Sequence, residues 1–183
     1  MTLDSQAYRN GMRRLATGVC LITTEDSTGL RTGMTATAVC SVSAEPPTLL
    51  CCINRSNVSY QAILANGIFG VNVLAVDDRP LADQFARPAV PADQKYALGL
   101  WRRLTTGAPI LESALVGLDC RVSSSVEVGT HGIVFGEIVE MQLRPVAAKP
   151  LLYGHGAYGG FATMGATSEL ESLWIPTWTA PPH

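Results

Sequence analysis

Two short stretches of the chain combine residue types that suit a flat, phosphorylated ligand. The first, TGMTATAVCSVS at 32–43, carries Gly, Ala, Thr and Ser where a core strand would carry large apolar side chains. Small side chains at Gly33, Ala36 and Ala38 would let a planar ring lie close to the backbone. Hydroxyl groups that can bind the polar atoms of such a ring are supplied by Thr35, Thr37, Ser41 and Ser43.

The second stretch, CINRSNVS at 52–59, gathers polar side chains where a buried strand gives way to a predicted helix. Asn54, Arg55, Ser56 and Ser59 fall at that helix N-terminus, where free backbone N–H groups and a partial positive charge favour phosphate. The Arg55 guanidinium adds a donor for charge-assisted hydrogen bonds. A simpler interpretation stays open at this point, because the Thr and Ser residues can be ordinary strand residues and Ser56 an ordinary helix cap.

A third stretch, GHGAYG at 154–159, matches the pattern G-x-G-x-x-G. A dinucleotide-binding fingerprint needs a strand before the glycines, a helix after them and an acidic residue about 20 positions further on. The residues after Gly159 contain PTW and APP and leave no room for such a unit. We therefore interpret these glycines as a tight turn or a close backbone approach.

Charge and cysteine usage argue against two other kinds of site. The chain has 13 Lys and Arg against 15 Asp and Glu, with no basic block, which argues against a nucleic-acid partner. The five cysteines, at 20, 40, 51, 52 and 120, have no metal-ligand spacing and the chain has only 3 histidines, so we predict no metal site. We expect the cysteines to be reduced thiols in the core.

The start of the chain, MTLDSQAYRN, contains an early acid and no apolar segment typical of a secretory signal. No apolar run approaches the ~18 residues of a membrane helix. We therefore expect a soluble, cytoplasmic protein without a membrane partner. The charged residues make up 15% of the chain, a low share that predicts a surface partly covered by a second subunit.

Helical spacing of apolar residues predicts a helix at 5–16, which Ser5 can cap and Gly18 can end. A shorter helix is predicted at 77–88, with Pro80 in its first turn.

The polar stretch at 52–59 leads into a further helix, at 55–67. Ser56 or Asn57 caps it, and Ile63 and Leu64 are expected to point inward.

Strands are predicted at 19–25, 31–43, 48–54, 68–75, 114–128 and 131–143. The last two form a long hairpin across Gly129 and Thr130. The connection at 87–109 is long and contains Trp101, Arg102 and Arg103, and connections of that length usually cover a site. Six or seven strands joined mostly by hairpins, with two or three short helices, predict an antiparallel barrel with helices at its edges.

The runs TGMTATAVCSVSAEPPTLLCCINRSNVS, GTHGIVFGEI and LLYGHGAYG resemble the short-chain flavin reductases. These are the reductase components of two-component flavin monooxygenases, including the reductases of 4-hydroxyphenylacetate, phenol and chlorophenol hydroxylases. The resemblance covers about residues 8–162. It implies a mainly β fold with flanking helices, namely a split β-barrel with an antiparallel Greek-key arrangement of six to seven strands. It also implies a homodimer of single-domain chains, in which 163–183 form a C-terminal arm.

The resemblance also implies the residues of a flavin site. Thr35, Ala36 and Thr37 would line the isoalloxazine ring, with backbone N–H groups near its O4 and N5 edge. Further cofactor-binding residues in the two stretches would be Thr32, Gly33, Met34, Ser43, Cys52 and Ile53. The ribityl chain and phosphate would be held by Asn54, Arg55, Ser56 and Ser59, and covered by Gln84, Phe85 and Ala86. The glycine-rich ending would contribute Tyr153, Gly156 and Tyr158. Where many members of the family have a basic residue, this chain has Ala157, so that side chain is not expected to contact a phosphate.

His131 matches the family histidine beside the nicotinamide, and it opens a strand after the Gly129-Thr130 turn, at a rim where ligands bind. Hydride transfer between two stacked rings needs close, fixed geometry and no proton donor. We therefore expect His131 to orient the nicotinamide carboxamide or to polarise the site. A purely structural histidine is the alternative.

These features predict an NAD(P)H:flavin oxidoreductase that uses NADH to reduce flavin and releases it to a separate oxygenase acting on an aromatic, phenolic compound. FAD is favoured over FMN because Trp101 and the arginines beside it can cover an adenylate, and NADH over NADPH because the glycine-rich ending lacks an arginine pair.

Two alternatives remain. One is a flavin carrier without catalysis. The other is a relative of pyridoxamine-phosphate oxidase, which would need a basic pocket although only Lys95 and Lys149 are available. If the strand predicted at 31–43, with its small side chains, contacts the flavin ring directly, Ala36→Leu should abolish flavin binding while the fold survives.

Overall fold

The computed structural model describes residues 4–161, and its main feature is a seven-stranded antiparallel sheet. The strands are β1 (Thr17–Gly18), β2 (Cys20–Glu25), β3 (Arg31–Ala36), β4 (Val39–Ala44), β5 (Pro47–Asn54), β6 (Ile68–Val73), β7 (Trp101–Arg103), β8 (Pro109–Leu111), β9 (Val116–Val128), β10 (His131–Leu143), β11 (Leu151–Gly154) and β12 (Ala157–Gly160). The helices are α1 (Ser5–Met12), α2 (Val58–Asn66), α3 (Arg79–Phe85) and α4 (Ala92–Tyr96), with a 3-10 turn at Val76–Asp78. The predicted C-terminal arm, with Trp174 and Trp178, lies outside the described residues.

The large sheet has the order β3-β2-β6-β9-β10-β5-β4, which places β3 and β4 at opposite edges. Only Thr37 and Ala38 separate these two strands along the chain. Since three Cα steps span at most roughly 11 Å, the sheet must curl until its edges meet. The mainly β fold with flanking helices and six to seven antiparallel strands, expected for a split barrel, is confirmed.

The single strand predicted at 31–43 is wrong, because the structure divides it. Ala36, at the end of β3, lies opposite Cys20 of β2, whereas Val39, at the start of β4, lies opposite Cys51 of β5. One straight strand cannot belong to both edges, so the chain leaves the first ladder at Thr37 and enters the second one after Ala38.

Strand β2 separates two hydrophobic clusters because its side chains alternate between the faces of the sheet. Cys20 and Ile22 pack in one cluster with Ile63 of α2. Leu21 packs in the other with Phe85 of α3. Each of these large side chains is fully or almost fully buried, and burial of one such side chain contributes about 1.5–3 kcal/mol to stability.

Helix α1 is shorter than predicted and begins differently. Asp4 caps it by accepting a hydrogen bond of 2.9 Å from the backbone N–H of Ala7, so Ser5 is not the cap. The helix ends at Met12, and Gly18 lies in β1, where it pairs with β11. No residue of α1 is buried.

Helix α2 agrees with its prediction except at Leu64. Asn57 caps the helix through a 2.9 Å hydrogen bond from the N–H of Ser59, and Gly67 ends it with a positive φ of 68°. Ile63 is fully buried against the sheet, whereas Leu64 is 36% exposed. The inward position of Leu64 is therefore wrong, because neighbouring residues on a helix point about 100° apart and only one face of α2 meets the sheet.

The long connection at 87–109 contains α4 and β7, and β7 pairs with β8. Trp101 packs at 5.6 Å from the ring of Phe85 and at 4.7 Å from the ring of Tyr96. The connection therefore adds to the core on the outer face of β2 and β3.

The glycine-rich stretch is a hairpin between β11 and β12. His155 and Gly156 form its turn with positive φ values of 53° and 80°, which confirms the tight turn and excludes a dinucleotide-binding loop here.

Three of the five cysteines, Cys20, Cys51 and Cys120, are buried free thiols, as expected, whereas Cys40 is exposed. Cys51 and Cys52 face opposite sides of β5, since only the former is fully buried.

No helix within residues 4–161 is long and apolar enough to cross a bilayer. In the same part of the chain, no group of three or more His, Cys, Asp or Glu side chains is placed to hold a metal ion.

Candidate functional site

Strand β3 and the end of β5 lie side by side without forming a ladder, and the seam between them is called the groove below. At one end, the N–H of Cys52 donates a 3.0 Å hydrogen bond to the carbonyl of Ala38. At the other, the hydroxyls of Thr32 and Ser59 share a hydrogen bond of 2.9 Å. The stretch with small side chains at 32–43 and the polar stretch at 52–59 are thus brought together along this groove.

The link between β3 and β4 carries two backbone donors that are free within residues 4–161. Neither the N–H of Thr37 nor that of Ala38 donates a hydrogen bond there, and the Thr37 hydroxyl is also free. Unpaired backbone donors are uncommon in folded proteins unless water or a ligand accepts from them. Both residues line an open cavity of about 490 Å³. A planar ring with polar atoms on one edge, such as an isoalloxazine, fits donors arranged in this way.

The Cβ position of Gly33 and the methyl group of Ala36 face protein instead of the cavity. A Cβ on Gly33 would lie 2.9 Å from both the carbonyl oxygen of Ile22 and a ring carbon of Phe85. Ala36 is 6% exposed and belongs to the core cluster under α2. Packing therefore accounts for the small size of these two residues. Because Ala36 is buried in the core cluster, we now expect Ala36→Leu to destabilise the fold and not only to affect flavin binding.

The other predicted ring residues divide between the groove and the core. The Thr35 hydroxyl donates 2.7 Å to the carbonyl of Ala82 in α3, so it faces away from the groove. Met34 packs against the core cluster and Ile53 is fully buried within it. Cys52 is half-buried beside Ala38. Ser43 lies apart, at the far end of β4, where it bonds the backbone of Glu45.

The predicted phosphate end is organised by side chains that bond one another. The Asn54 side-chain oxygen accepts hydrogen bonds of 3.0 Å from the N–H of Ser56 and 2.8 Å from its hydroxyl. Arg55 forms a 2.9 Å ion pair with Glu127, and both side chains are about half exposed. An exposed pair of this kind contributes little stability, so the guanidinium can exchange its partner for a phosphate at small cost. The residues present fit a phosphorylated tail.

His131 lies directly opposite Asn54 in the ladder between β10 and β5, and it is exposed. Its Nδ1 shares a 2.9 Å hydrogen bond with the hydroxyl of Thr130. Within residues 4–161, Nε2 has no hydrogen-bond partner, so this nitrogen is the one available to a ligand. The structure thus places His131 beside the predicted phosphate end of the groove and gives it no contact with Thr37 or Ala38.

The segment Gln84, Phe85 and Ala86 lies behind β3 and does not cover the groove. Phe85 is 1% exposed and lies against Gly33 and the ring of Tyr96. Ala86 is exposed at the end of α3, while Gln84 donates to the carbonyl of Gln94.

The hairpin of β11 and β12 brings Tyr153 to the cavity. Tyr153 lies opposite Thr17 of β1 and lines the same cavity as Thr37. Its ring is 5.3 Å from that of Tyr158, which lies under the guanidinium of Arg79 at 5.6 Å. Partial burial, followed by the nearby carboxylate of Asp83, raises the pKa of Tyr158, so this phenol stays neutral. Gly156 occupies the turn of this hairpin.

Helix α1 and the residues just after it supply cavity residues that the sequence reasoning missed. They are Tyr8, Arg9, Met12, Arg13 and Leu15. The available signal was an amphipathic helix whose apolar residues and arginines had no assigned partner. Its position beside Thr37 depends on tertiary structure and could not be read from the helix alone.

The buried thiols are poor candidates for a nucleophile. Burial raises the pKa of Cys20 and of Cys51 to about 12 and raises the pKa of Cys120 as well. The reactive form of cysteine is the thiolate, which these residues do not form at neutral pH.

Residues 12–162 match the family model of the flavin reductase like domain. The chain is 41% identical over 167 residues to the FMN reductase (NADH) RutF of Bradyrhizobium diazoefficiens, covering 91% of this chain and 89% of that protein.

Two solved structures share the fold. BorF, the flavin reductase component of a bacterial two-component tryptophan halogenase, matches 88% of this chain and all of its own with a TM-score of 0.80 and 30% identity. The NADH:FAD oxidoreductase SgcE6 of Streptomyces globisporus, solved with NAD and FAD fragments, matches 91% of this chain and 99% of its own with a TM-score of 0.80 and 28% identity.

Proposed function

The chain belongs to the family of flavin reductase like domains, and from that premise we propose that it is an NADH-dependent flavin reductase. The observation that carries the proposal is the pair of free N–H donors at Thr37 and Ala38, on the wall of a cavity large enough for flat rings. A bound flavin would supply the hydride acceptor, and NADH would supply the hydride. The overall conversion is NADH, flavin and one proton to NAD⁺ and reduced flavin.

The protein's own task in this reaction is positional. The Thr37 and Ala38 amides would fix the polar edge of the isoalloxazine, and the polar end at Asn54, Arg55 and Ser56 would hold the phosphate. Ser59, which was also predicted there, is fully buried and bonds Thr32 instead. Holding two rings at contact distance provides most of what hydride transfer requires. His131 would bind a polar group of the nicotinamide through Nε2. If His131→Ala changes neither the rate nor the KM for NADH, this role is wrong.

We favour FMN as the flavin. The argument for FAD relied on Trp101 and the arginines beside it covering an adenylate. Trp101 instead packs on Phe85 and Tyr96, and Arg103 forms a 2.6 Å ion pair with Glu25. The relative named FMN reductase (NADH) supports FMN and NADH, whereas the oxidoreductase solved with NAD and FAD fragments keeps FAD as the alternative. Titration of the protein with each flavin, followed by fluorescence quenching, separates the two.

We propose that reduced flavin passes to a separate flavin-dependent oxygenase in the cytoplasm. The relative that serves a two-component tryptophan halogenase supports such a partner. Hydroxylation of an aromatic compound by that partner stays a prediction.

A homodimer is also proposed. Val42 on β4 is 48% exposed, and Val126 and Val128 at the tip of the long hairpin are 51% and 58% exposed. A second subunit would cover this apolar surface. Sedimentation of the purified protein at micromolar concentration tests the proposal.

A relative of pyridoxamine-phosphate oxidase is disfavoured by the position of Lys95. This lysine is 8% exposed and donates to the carbonyls of Gly33 at 3.3 Å and Phe85 at 3.5 Å. Desolvation lowers its pKa, and both of its hydrogen bonds go to backbone carbonyls.

The test mixes a catalytic amount of the purified protein with excess FMN and NADH under air. We expect NADH absorbance to fall over many turnovers, because oxygen reoxidises the released flavin. Tight flavin binding without NADH oxidation would identify a carrier instead. A protein that neither binds flavin nor oxidises NADH would overturn the proposal.

A further inference from the structure

The cavity beside the Thr37–Ala38 link has a second, positively charged wall. We propose that Arg9 of α1 and Arg13, the residue that caps the end of α1, bind the pyrophosphate of the nicotinamide dinucleotide. This inference rests on the proposed function, since it assigns the co-substrate to one side of the same site.

The two arginines are four residues apart, since Arg9 lies in the last turn of α1 and Arg13 is its C-cap with helical backbone angles, and both line the cavity. Within residues 4–161 neither forms an ion pair, and the only side-chain partner of Arg9 is the neutral Gln6, at 2.9 Å. Like charges at this spacing destabilise a helix. An anion between the two guanidinium groups would remove that repulsion, and guanidinium groups bind phosphate oxygens with two parallel hydrogen bonds.

The helix also presents apolar surface to the cavity. Tyr8, Met12 and Leu15 are 54%, 46% and 60% exposed although they line it. Tyr153 forms part of the facing wall. A ligand with two flat aromatic rings joined through a pyrophosphate matches a wall that combines aromatic, apolar and cationic side chains. A dinucleotide has this composition, whereas a simple anion would leave the apolar residues uncovered.

The flavin phosphate cannot be the anion at α1 if the flavin lies as proposed. The Thr37–Ala38 amides hold the ring edge, and β5 continues from Cys52, beside Ala38, toward the polar residues at Asn54 and Ser56. The flavin tail therefore runs along the groove, and the α1 arginines are left to a second anionic ligand.

The backbone of α1 is fixed while its arginine side chains stay free. The N–H of His155 donates a 2.6 Å hydrogen bond to the carbonyl of Arg13, and Gly154 packs against Ala16. These contacts join the end of the helix to the β11–β12 hairpin. The arginines thus project from a supported element, as a binding residue requires.

The experiment compares Arg9→Gln, Arg13→Gln and the double variant with Arg14→Gln. Arg14 is the matched control, because it is the neighbouring arginine and does not line the cavity. Each protein is assayed for KM and kcat with NADH at saturating FMN. Calorimetry gives the Kd of NAD⁺ without turnover, and fluorescence quenching gives the Kd of FMN. Dihydronicotinamide riboside, which has no phosphate, serves as an alternative hydride donor.

We expect each single variant to raise the KM for NADH and the Kd of NAD⁺ about tenfold, the loss typical of one charge-assisted hydrogen bond. The kcat, the FMN affinity, the kinetics with the riboside and the Arg14→Gln protein should all stay within about twofold of the unaltered protein.

Three results would overturn the assignment. They are an unchanged KM for NADH, an equal loss with the riboside, and a loss confined to FMN binding. If the unaltered protein oxidises no NADH, the proposed function fails by itself, and the Kd of NAD⁺ still decides the role of the arginines.

Discussion

Strands β3 and β4 follow each other along the chain and have similarly small side chains, but for different physical reasons. In β3, Gly33 admits the Phe85 ring and Ala36 fits into the core. In β4, every residue after Val39 is exposed. Gly33 and Ala36 of β3 are small because protein packs closely against them, whereas the small residues of β4 are exposed and have no such packing.

The difference shows where function is concentrated. Small residues in β3 are needed for stability whatever the protein binds. The two residues between the strands, Thr37 and Ala38, are the ones that leave backbone donors free beside the cavity. The link is therefore the element that we propose binds the flavin ring, and the strands on either side hold it in place.

Gly33→Ala should give the largest effect on stability. The new Cβ would lie 2.9 Å from the carbonyl of Ile22, a backbone atom that cannot move aside. We expect the free energy of unfolding to fall by about 2–3 kcal/mol in urea denaturation. Ser41→Ala, on exposed β4, is the control and should change it by less than about 0.5 kcal/mol. Equal effects at the two positions would contradict the comparison.

Ala36→Leu is the next test. The larger side chain enters a filled core and should cost about 1–3 kcal/mol of stability, seen as a lower thermal midpoint. Ala44→Leu places the same change on the exposed end of β4 and should leave the midpoint nearly unaltered. A stable Ala36→Leu protein that has lost FMN binding would favour a direct contact with the ring instead.

The buried Cys51 and the exposed Cys40 of β4 test the contrast between packed and unpacked positions through the pH dependence of stability. Burial, with smaller contributions from Cys52 and Cys20, raises the pKa of Cys51 in the folded protein to about 12, against 9.0 for an ordinary thiol. Its contribution to stability is complete below pH 9.0 and is lost as the pH rises toward 12, by up to about 1.4 kcal/mol per pH unit.

Cys51→Ala should therefore flatten the alkaline loss of stability, and Cys40→Ala should not. In the native protein, a thiol reagent should label the exposed Cys40 rapidly and Cys51 only as the protein unfolds. Rapid labelling of Cys51 would show that this part of the core is open.

Much of the fold follows from local sequence signals. The polar alternation and turn residues of the long hairpin predict β9 and β10, and Asn57 with a following helical pattern predicts α2. The break at Thr37 and Ala38 has no such signal, because neither residue is a turn former. It is imposed by the sheet, whose first and last strands happen to be consecutive in the chain.

The candidate site, too, could be predicted only where local sequence signals determine it. The polar residues at Asn54 and Ser56 could be predicted because a strand end and a helix start are local features. Arg9 and Arg13 could not, since their place beside the cavity depends on the contact between α1 and the distant β11–β12 hairpin. Phe85 was expected at the ligand, and its burial behind Gly33 was likewise set by packing.

The central claim is that the Thr37 and Ala38 amides bind the ring, and an NMR titration of ¹⁵N-labelled protein with FMN tests it most directly. We predict downfield shifts of these two amide protons on binding, while the amides of Ser41 and Ser43 stay in place. Titration with 5-deaza-FMN, which lacks the N5 acceptor, should reduce the shifts and weaken binding about tenfold. Unmoved Thr37 and Ala38 amides in a protein that binds FMN would contradict the account.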